Sequence, residues 1–173
     1  LLYYVEQSDV AAAGPLLNFP DNTVQHAGVV LGFRGTADHI MRNYPVDCDG
    51  YAGSLASARE VSAVTAACMM VKKSLFDTVG GFDEHYSVIY QDVDLCLKFL
   101  SRGYRIIFNP RVIITHYECS TRDKNHYDLI DRNLLLDQWE ETIRKGDSYY
   151  NCNFDLNNYG PENRGYILTI HEE

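Results

Sequence analysis

The 173-residue sequence is poor in basic side chains and in proline, has no paired cysteine motif, and has no long apolar run. Fifteen Lys and Arg against 24 Asp and Glu leave a net charge of −9, which argues against a general nucleic-acid binder. The longest largely apolar stretch, Val61 to Val71, has 11 residues and contains Ser62 and Thr65. A helix needs about 20 to cross a bilayer. No basic segment precedes a short apolar run at the start, so a signal peptide is not expected. The five cysteines (Cys48, Cys68, Cys96, Cys119 and Cys152) include no Cys-x-x-Cys pair, which argues against a zinc ribbon or a dithiol redox motif. Cys68 and Cys96 lie among apolar neighbours and read as buried small hydrophobes. This cysteine usage fits a reducing, cytosolic environment. Repeats and low-complexity tracts are absent.

What remains is an ordinary globular composition, 46% apolar and 23% charged, in a length that suits about one domain with a real core. The charge is unevenly spread. Residues 1–60 carry 3 basic and 7 acidic side chains and residues 123–173 carry 5 and 11, whereas residues 61–122 carry 7 and 6. The middle third is therefore the part suited to facing an anionic ligand.

Leu1 to Tyr4 read as the tail of a helix that begins upstream, so the sequence is expected to be a piece of a longer chain. Ala11 to Leu17 is apolar but broken by Gly14 and Pro15. Val24 to Phe33, punctuated by Gly28 and Gly32, predicts a strand or hairpin. Residues 34–60 are polar without a clear period and predict a long excursion with little regular structure. Val61 to Val71 is apolar enough for a strand buried on both faces. Lys72 to Val79 predicts a short helix stopped by Gly80-Gly81, and residues 92–102 predict a helix closed by Gly103 as its C′ residue. Two short strands are expected at Arg105 to Phe108 and Val112 to Thr115, separated by Asn109-Pro110. Leu129 to Arg144 predicts an amphipathic helix with Leu134, Leu135, Trp139 and Ile143 inward. From Asp147 the chain reads as irregular, with a last strand near Tyr166 to Ile170. Strand and helix in alternation predict an α/β layer architecture.

Chemistry-bearing residues gather in GGFDE from Gly80, QDVD from Gln91, and His116. Asp92 falls at the start of a helix, where unpaired N–H groups favour a carboxylate; a plain N-cap is the alternative role. Asp94 stands four residues before Lys98, the spacing of an i,i+4 ion pair on a helix. His116 ends an apolar strand, the place where α/β sheets bind ligands, although a structural histidine satisfies the same pattern. His26, His39, His85, His126 and His171 have no such context. Asp47-Cys48-Asp49 has the spacing of an acidic clamp, but Pro45 and Gly50 flank it, which predicts a solvated turn.

The ordered set VSAVTAACMMVKKSLFDTVGGFDE from Val61, QDVDLCLKFLSRGYR from Gln91 and NPRVIITH ending at His116 resembles the C-terminal half of family 2 glycosyltransferases, inverting enzymes of the GT-A fold. Ser120-Thr121-Arg122, the helix carrying Trp139, and DSYYNCN from Asp147 continue the resemblance, which covers most of residues 1–155. The nearest relatives it suggests are bacterial rhamnosyltransferase-like members that decorate surface polysaccharides. The resemblance implies a partial GT-A, α/β fold with a mixed sheet and flanking helices. Residues 1–122 would form the acceptor-side, catalytic half, and residues 123–173 a C-terminal helix and tail packed on it.

By the same resemblance Asp92 matches the general base that takes the acceptor hydroxyl proton, and His116 a ligand of a divalent cation (Mn²⁺ or Mg²⁺) on the donor diphosphate. Gly81, Phe82 and Asp83 match the acceptor-side loop, Thr65 the strand under the sugar pocket, and Arg122 a basic position near the diphosphate. Gln91 and Asp94 flank the base as substrate-binding positions. Gln91 replaces a common Glu, and Ala66 a common Gly. The implied partners are a nucleotide-sugar donor, a glycan or lipid-linked acceptor, and a nucleotide-binding half of the same protein. That half, with its Asp-x-Asp, has no counterpart in this sequence, so the chain alone is expected to be inactive or nearly so. The implied location is cytoplasmic or peripheral at the inner face of the membrane. The competing readings are a non-catalytic glycan-binding or scaffold module of the same fold, fed by Gln91 and Ala66, and a metal-dependent hydrolase using Asp92, Asp94 and His116. The hydrolase would lack the further ligands a two-metal site needs.

Overall fold

Val10–Asn18 is buried at every one of its nine positions and forms β1, the strand against which the other elements are laid. The computed structural model describes residues 1–117 and 124–157, with only the backbone of 124–127. In chain order α1 (Leu2–Val5) precedes β1, and β2 (Val24–His26), β3 (Val29–Leu31), β4 (Ala37–His39), β5 (Arg59–Glu60) and β6 (Met70–Val71) follow it. Then come α2 (Lys73–Thr78), α3 (Gln91–Leu100), β7 (Arg105–Thr115) and α4 (Lys124–Arg144). The main sheet runs β2-β1-β7-β5, with β6 also paired to β1, while β3 and β4 form a separate two-stranded hairpin. β1 and β7 are parallel and the other pairings antiparallel, so the molecule is α/β with a mixed sheet. One face packs the large apolar core around Leu16, Leu95, Leu97, Phe99, Phe108 and Leu135. The other carries a small cluster of Val5, Val10, Ala13 and Ile107 under α1.

The breaks expected at Gly14-Pro15 and at Asn109-Pro110 do not end either strand. Pro15 pairs with Asn109 and Leu16 with Ile113, so residues 110–112 bulge out of β7 at one point. Each proline lacks a ladder donor, and placing both at this interruption is how a sheet tolerates them. Gly14 answers a different need. A Cβ there would stand 2.7 Å from Val64 Cβ, so only glycine lets the two segments touch.

Val61 to Val71 is not the strand its composition predicts. Val61, Ser62, Ala63 and Val64 are buried, but only Met70–Val71 is extended in a ladder, after a 3₁₀ turn at Ala66–Cys68. Its backbone groups find separate partners instead. Val61 N–H donates to the Ile106 carbonyl, Ala63 C=O accepts from Val29, and Val64 C=O accepts from the Cys96 thiol. Residues 61–64 are dry because other elements surround them, a burial that composition cannot tell from a central strand, whereas Ala66, Ala67 and Met70 are exposed. Cys68 is half-buried rather than interior, whereas Cys96 is fully buried and burial pushes its thiol up to about 12.

The helices follow their signals. α2 stops where Gly80 takes φ +84. Past α3, Gly103 at φ +81 donates to the Leu100 carbonyl while Tyr104 donates to Phe99, the paired bonds of a Schellman close. In α4, Leu135 and Ile143 are buried and Leu134 and Trp139 pack partly against the core. The polar stretch 34–60 holds more order than expected, since β4 pairs with β3 along its whole length. Asp47 and Asp49 do lie exposed in a turn. The irregular segment after α4 is docked: Asp147 accepts the Leu31 N–H, and Phe154 packs edge-on to Tyr51. The last strand expected at 166–170 and the boundary expected at 122/123 lie outside the described residues.

Candidate functional site

A cleft of about 1480 Å³ opens beside β4, more than drug-sized ligand pockets usually hold. Its walls are the Phe33–Gly35 turn and β4, the 65–67 turn, residues 88–93 leading into α3, His116 and Tyr117 after β7, and Asp128, Leu129 and Arg132 of α4. Thr65, Gln91, Asp92 and His116, four of the residues singled out in the sequence, line this one cleft.

Asp92 reaches it from the first turn of α3, but it is not the helix cap. Tyr90 holds the N-cap position at φ +68, without a side-chain cap bond. That left-handed conformation is costly for an aromatic residue, and the Tyr90 hydroxyl is 3.1 Å from Thr36 Oγ1. Asp92 instead ties two segments together. Oδ1 accepts the Val93 N–H at 2.9 Å and Oδ2 the Ala66 N–H at 3.0 Å. A carboxylate has about four acceptor sites, so both oxygens keep capacity for a third partner. Gln91 lies beside it, and its Oε1 is buried with no partner among the described residues.

His116 is held by the end of the sheet. Its N–H donates to the Asn18 carbonyl, and Nδ1 lies 2.8 Å from Oε1 of the buried Gln25. An amide oxygen only accepts, so Nδ1 carries the hydrogen and Nε2 keeps its lone pair. This is the outer-sphere arrangement of a metal-binding histidine. Among the described residues no group of three or more His, Cys, Asp or Glu converges, so His116 would serve as a single ligand.

The other expected residues stand elsewhere. Asp94 is fully buried beneath α4, receiving the Trp139 Nε1–H at 2.9 Å and pairing with Lys98 at 2.7 Å. Its ion-pair reading holds, and a side chain with no exposure cannot meet a substrate in the cleft. Gly81, Phe82 and Asp83 do not line the cleft. Phe82 is exposed against the Phe76 ring, and Asp83 accepts from the His85 backbone, the His85 ring and Gln138, which holds its carboxyl down to about 2. Arg122 lies outside the described residues.

The cleft also contains residues that the sequence did not single out: His39, Asp38, Arg34, Arg42, Asp128 and Arg132. They come from the hairpin region and from the polar face of α4, where no motif marks them. Asp131 was also missed. It is fully buried and accepts the N–H groups of Ser87, Val88 and Ile89 at 2.8, 2.8 and 2.9 Å, which fixes the loop that walls the cleft.

Comparison with known proteins adds relatives. Over 158 residues, 90% of its length, the chain is 32% identical to the O-antigen biosynthesis protein RfbC of Myxococcus xanthus. Over 69 residues, 40% of its length, it is 30% identical to an N-acetylglucosaminyl-diphospho-decaprenol L-rhamnosyltransferase of Mycobacterium tuberculosis. The chain is thus similar to one protein named for O-antigen biosynthesis and to one named as a rhamnosyltransferase. It is also 40% identical over 118 residues to y4gI, an uncharacterized protein of Sinorhizobium fredii. It spans only 13% of the length of y4gI, 12% of RfbC and 22% of the rhamnosyltransferase. No family model and no solved structure matches it. No helix among the described residues is long and apolar enough to cross a membrane.

Proposed function

We propose that the chain is the C-terminal, acceptor-side portion of an inverting family 2 glycosyltransferase of the GT-A fold. It would act within a longer protein that moves a sugar from a nucleotide-diphospho-sugar to a glycan or lipid-linked acceptor in surface polysaccharide synthesis. The observation that carries this reading is the presence of Asp92 and His116 on one cleft, in a chain whose relatives are named for O-antigen synthesis and rhamnosyl transfer.

In this reading Asp92 takes the proton of the attacking hydroxyl. The hydroxyl oxygen forms the new bond to the anomeric carbon, and the electron pair of the breaking carbon–oxygen bond leaves on the diphosphate. The two N–H donors on Asp92 fix its orientation and leave room for that proton. A divalent cation, Mn²⁺ or Mg²⁺, would supply charge neutralisation to the leaving diphosphate, and His116 Nε2, oriented by Gln25, suits one of its positions. Further ligands would come from the diphosphate and from the nucleotide-binding half. The chain alone would therefore transfer little.

The test is Asp92→Asn in the full-length protein, assayed for sugar transfer and for thermal stability. Turnover is expected to fall roughly 100-fold or more, the usual scale for a lost general base. Asn offers one carbonyl oxygen where Asp92 offers two, so one of the Val93 and Ala66 N–H groups loses its acceptor at a cost of about 1–2 kcal/mol. Near-normal turnover would reduce Asp92 to a structural tie and sink the reading.

A further inference from the structure

Beneath the cleft lies a pair of histidines that the proposed reaction does not use. His26, the last residue of β2, is completely buried, and His39 of β4 lines the cleft. Their rings meet edge to face, with centroids 4.8 Å apart and Nδ1 to Nδ1 at 2.8 Å. One of those two nitrogens donates and the other accepts. On the far side of the His26 ring, the Thr65 N–H donates to Nε2 at 3.3 Å, so Nε2 holds a lone pair. A neutral imidazole has one N–H. His26 therefore carries its hydrogen on Nδ1 and gives it to His39 Nδ1, and His39 keeps its own on Nε2. The donors run in one direction, from Thr65 to His26 to His39.

An added proton defeats this order wherever it lands. On His26 Nε2 it confronts the Thr65 N–H directly. On His39 Nδ1 it turns the shared bond around, and His26 must then hold its hydrogen on Nε2, with the same result. Thr65 is followed by Ala66, whose N–H is the one bound to Asp92 Oδ2, so two successive N–H groups tie the turn to the pair and to the acid.

We propose that His26 and His39 are positioning residues: as a neutral, directional relay they hold the Thr65–Ala67 turn against Asp92, and proton uptake by the pair releases it. The surroundings suit this role. Arg59 stands beside His26, donating to the Ala27 carbonyl and lying over the Phe108 ring, whose plane His26 also meets. Burial above all, then His39 and Arg59, keep the His26 pKa well below the ordinary histidine range. Asp38, whose Oδ1 accepts the His39 N–H and whose Oδ2 pairs with Arg34, stands beside His39, and Arg42, Asp92 and His116 line the same cleft. The relay stands on the chain's own hydrogen bonds; its consequence for transfer rests on the transferase reading.

The test is ¹⁵N NMR of the uniformly ¹⁵N-labelled full-length protein, with the His26 ring nitrogens and the Thr65 and Ala66 amides followed as pH is lowered from neutral. His26 is expected as the Nδ1–H tautomer, and both amides should shift together with protonation of the pair. His39→Ala should displace the Thr65 amide at neutral pH, and His39→Asn, whose Oδ1 can replace the Nδ1 acceptor, should restore it. An Nε2–H tautomer at neutral pH, or protonation of the pair with an unmoved Thr65 amide, would overturn the relay. In a transfer assay His39→Ala should lower kcat by roughly tenfold, as a misplaced site does, with His39→Asn recovering most of it. A wild-type protein without transfer activity would defeat the transferase reading and leave the NMR result to decide the relay.

Discussion

Asp131→Asn probes how the cleft wall is held. Asp131 Oδ1 accepts from Ser87, and Oδ2 accepts from both Val88 and Ile89. An asparagine does best with its carbonyl oxygen in the Oδ2 position, keeping two bonds at neutral strength and turning an NH₂ toward the Ser87 N–H. One bond to a charged acceptor, worth about 2 kcal/mol, is lost, and two others weaken by about 1 kcal/mol each. Ser87 is exposed, so water replaces part of this, and the expected loss is about 3 kcal/mol. With a urea m-value of about 2 kcal/mol/M, the midpoint should fall by about 1.5 M at unchanged slope, followed by the fluorescence of Trp139. The pH dependence carries a sign. Burial pushes the Asp131 carboxyl up, but the three N–H donors more than offset it and hold it below its ordinary value of 3.8. A lowered folded pKa gives stability that is present above about pH 4 and lost as pH falls through the folded value. The gap between wild type and Asp131→Asn should therefore narrow in acid. A loss under about 1 kcal/mol at neutral pH, or a gap that widens in acid, would refute the argument.

Two further substitutions test the packing beneath the site. Gly14→Ala places a methyl group 2.7 Å from Val64 Cβ and should cost about 1–3 kcal/mol in thermal or urea unfolding, with part recovered in the double variant with Val64→Ala; an unchanged melt would show that the segments separate freely. Asp94→Ala strips the buried partner from Lys98 and Trp139 and should cost about 3 kcal/mol or more, with Asp94→Asn costing less because it still accepts the indole N–H. Equal losses in the two variants, measured by urea unfolding, would show that the hydrogen bond to Trp139 contributes nothing.

The elements that could be read from the sequence are those whose signals are local. Gly80, Gly103 and the apolar stripe of α3 state a helix and its end within one or two turns. The elements that could not be read depend on what lies opposite. Pro15 and Pro110 read as strand breakers until β1 and β7 are seen to share one bulge. Val61 to Val71 reads as a strand because apolar composition does not tell a strand from an irregular buried segment, and the backbone groups of Val61, Ala63 and Val64 go to separate partners. β3 falls within the stretch read as a strand or hairpin, but its partner β4 hides in a polar stretch because His39 and Asp38 line a cleft, so no apolar alternation marks that strand.

The same distinction runs through the site. That Asp92 and His116 share a cleft could be anticipated because each stands at the end of an element whose pattern is plain, where side chains reach a ligand. Position alone also allows an N-cap and a structural histidine, so their roles come from the family resemblance. Asp94, two residues along the same helix, is carried to the opposite side, where Trp139 and Lys98 take up its oxygens. On α3 a spacing of two residues separates the faces, so neighbouring acids in one motif cannot share one task. The irregular course of residues 61–67 then has a physical reason. A strand there would commit successive N–H groups to ladder partners on alternating sides. Leaving the ladder lets Thr65 and Ala66 point consecutive N–H groups at His26 and at Asp92, so the carboxylate in the cleft is set by a backbone turn whose other neighbour is a buried imidazole.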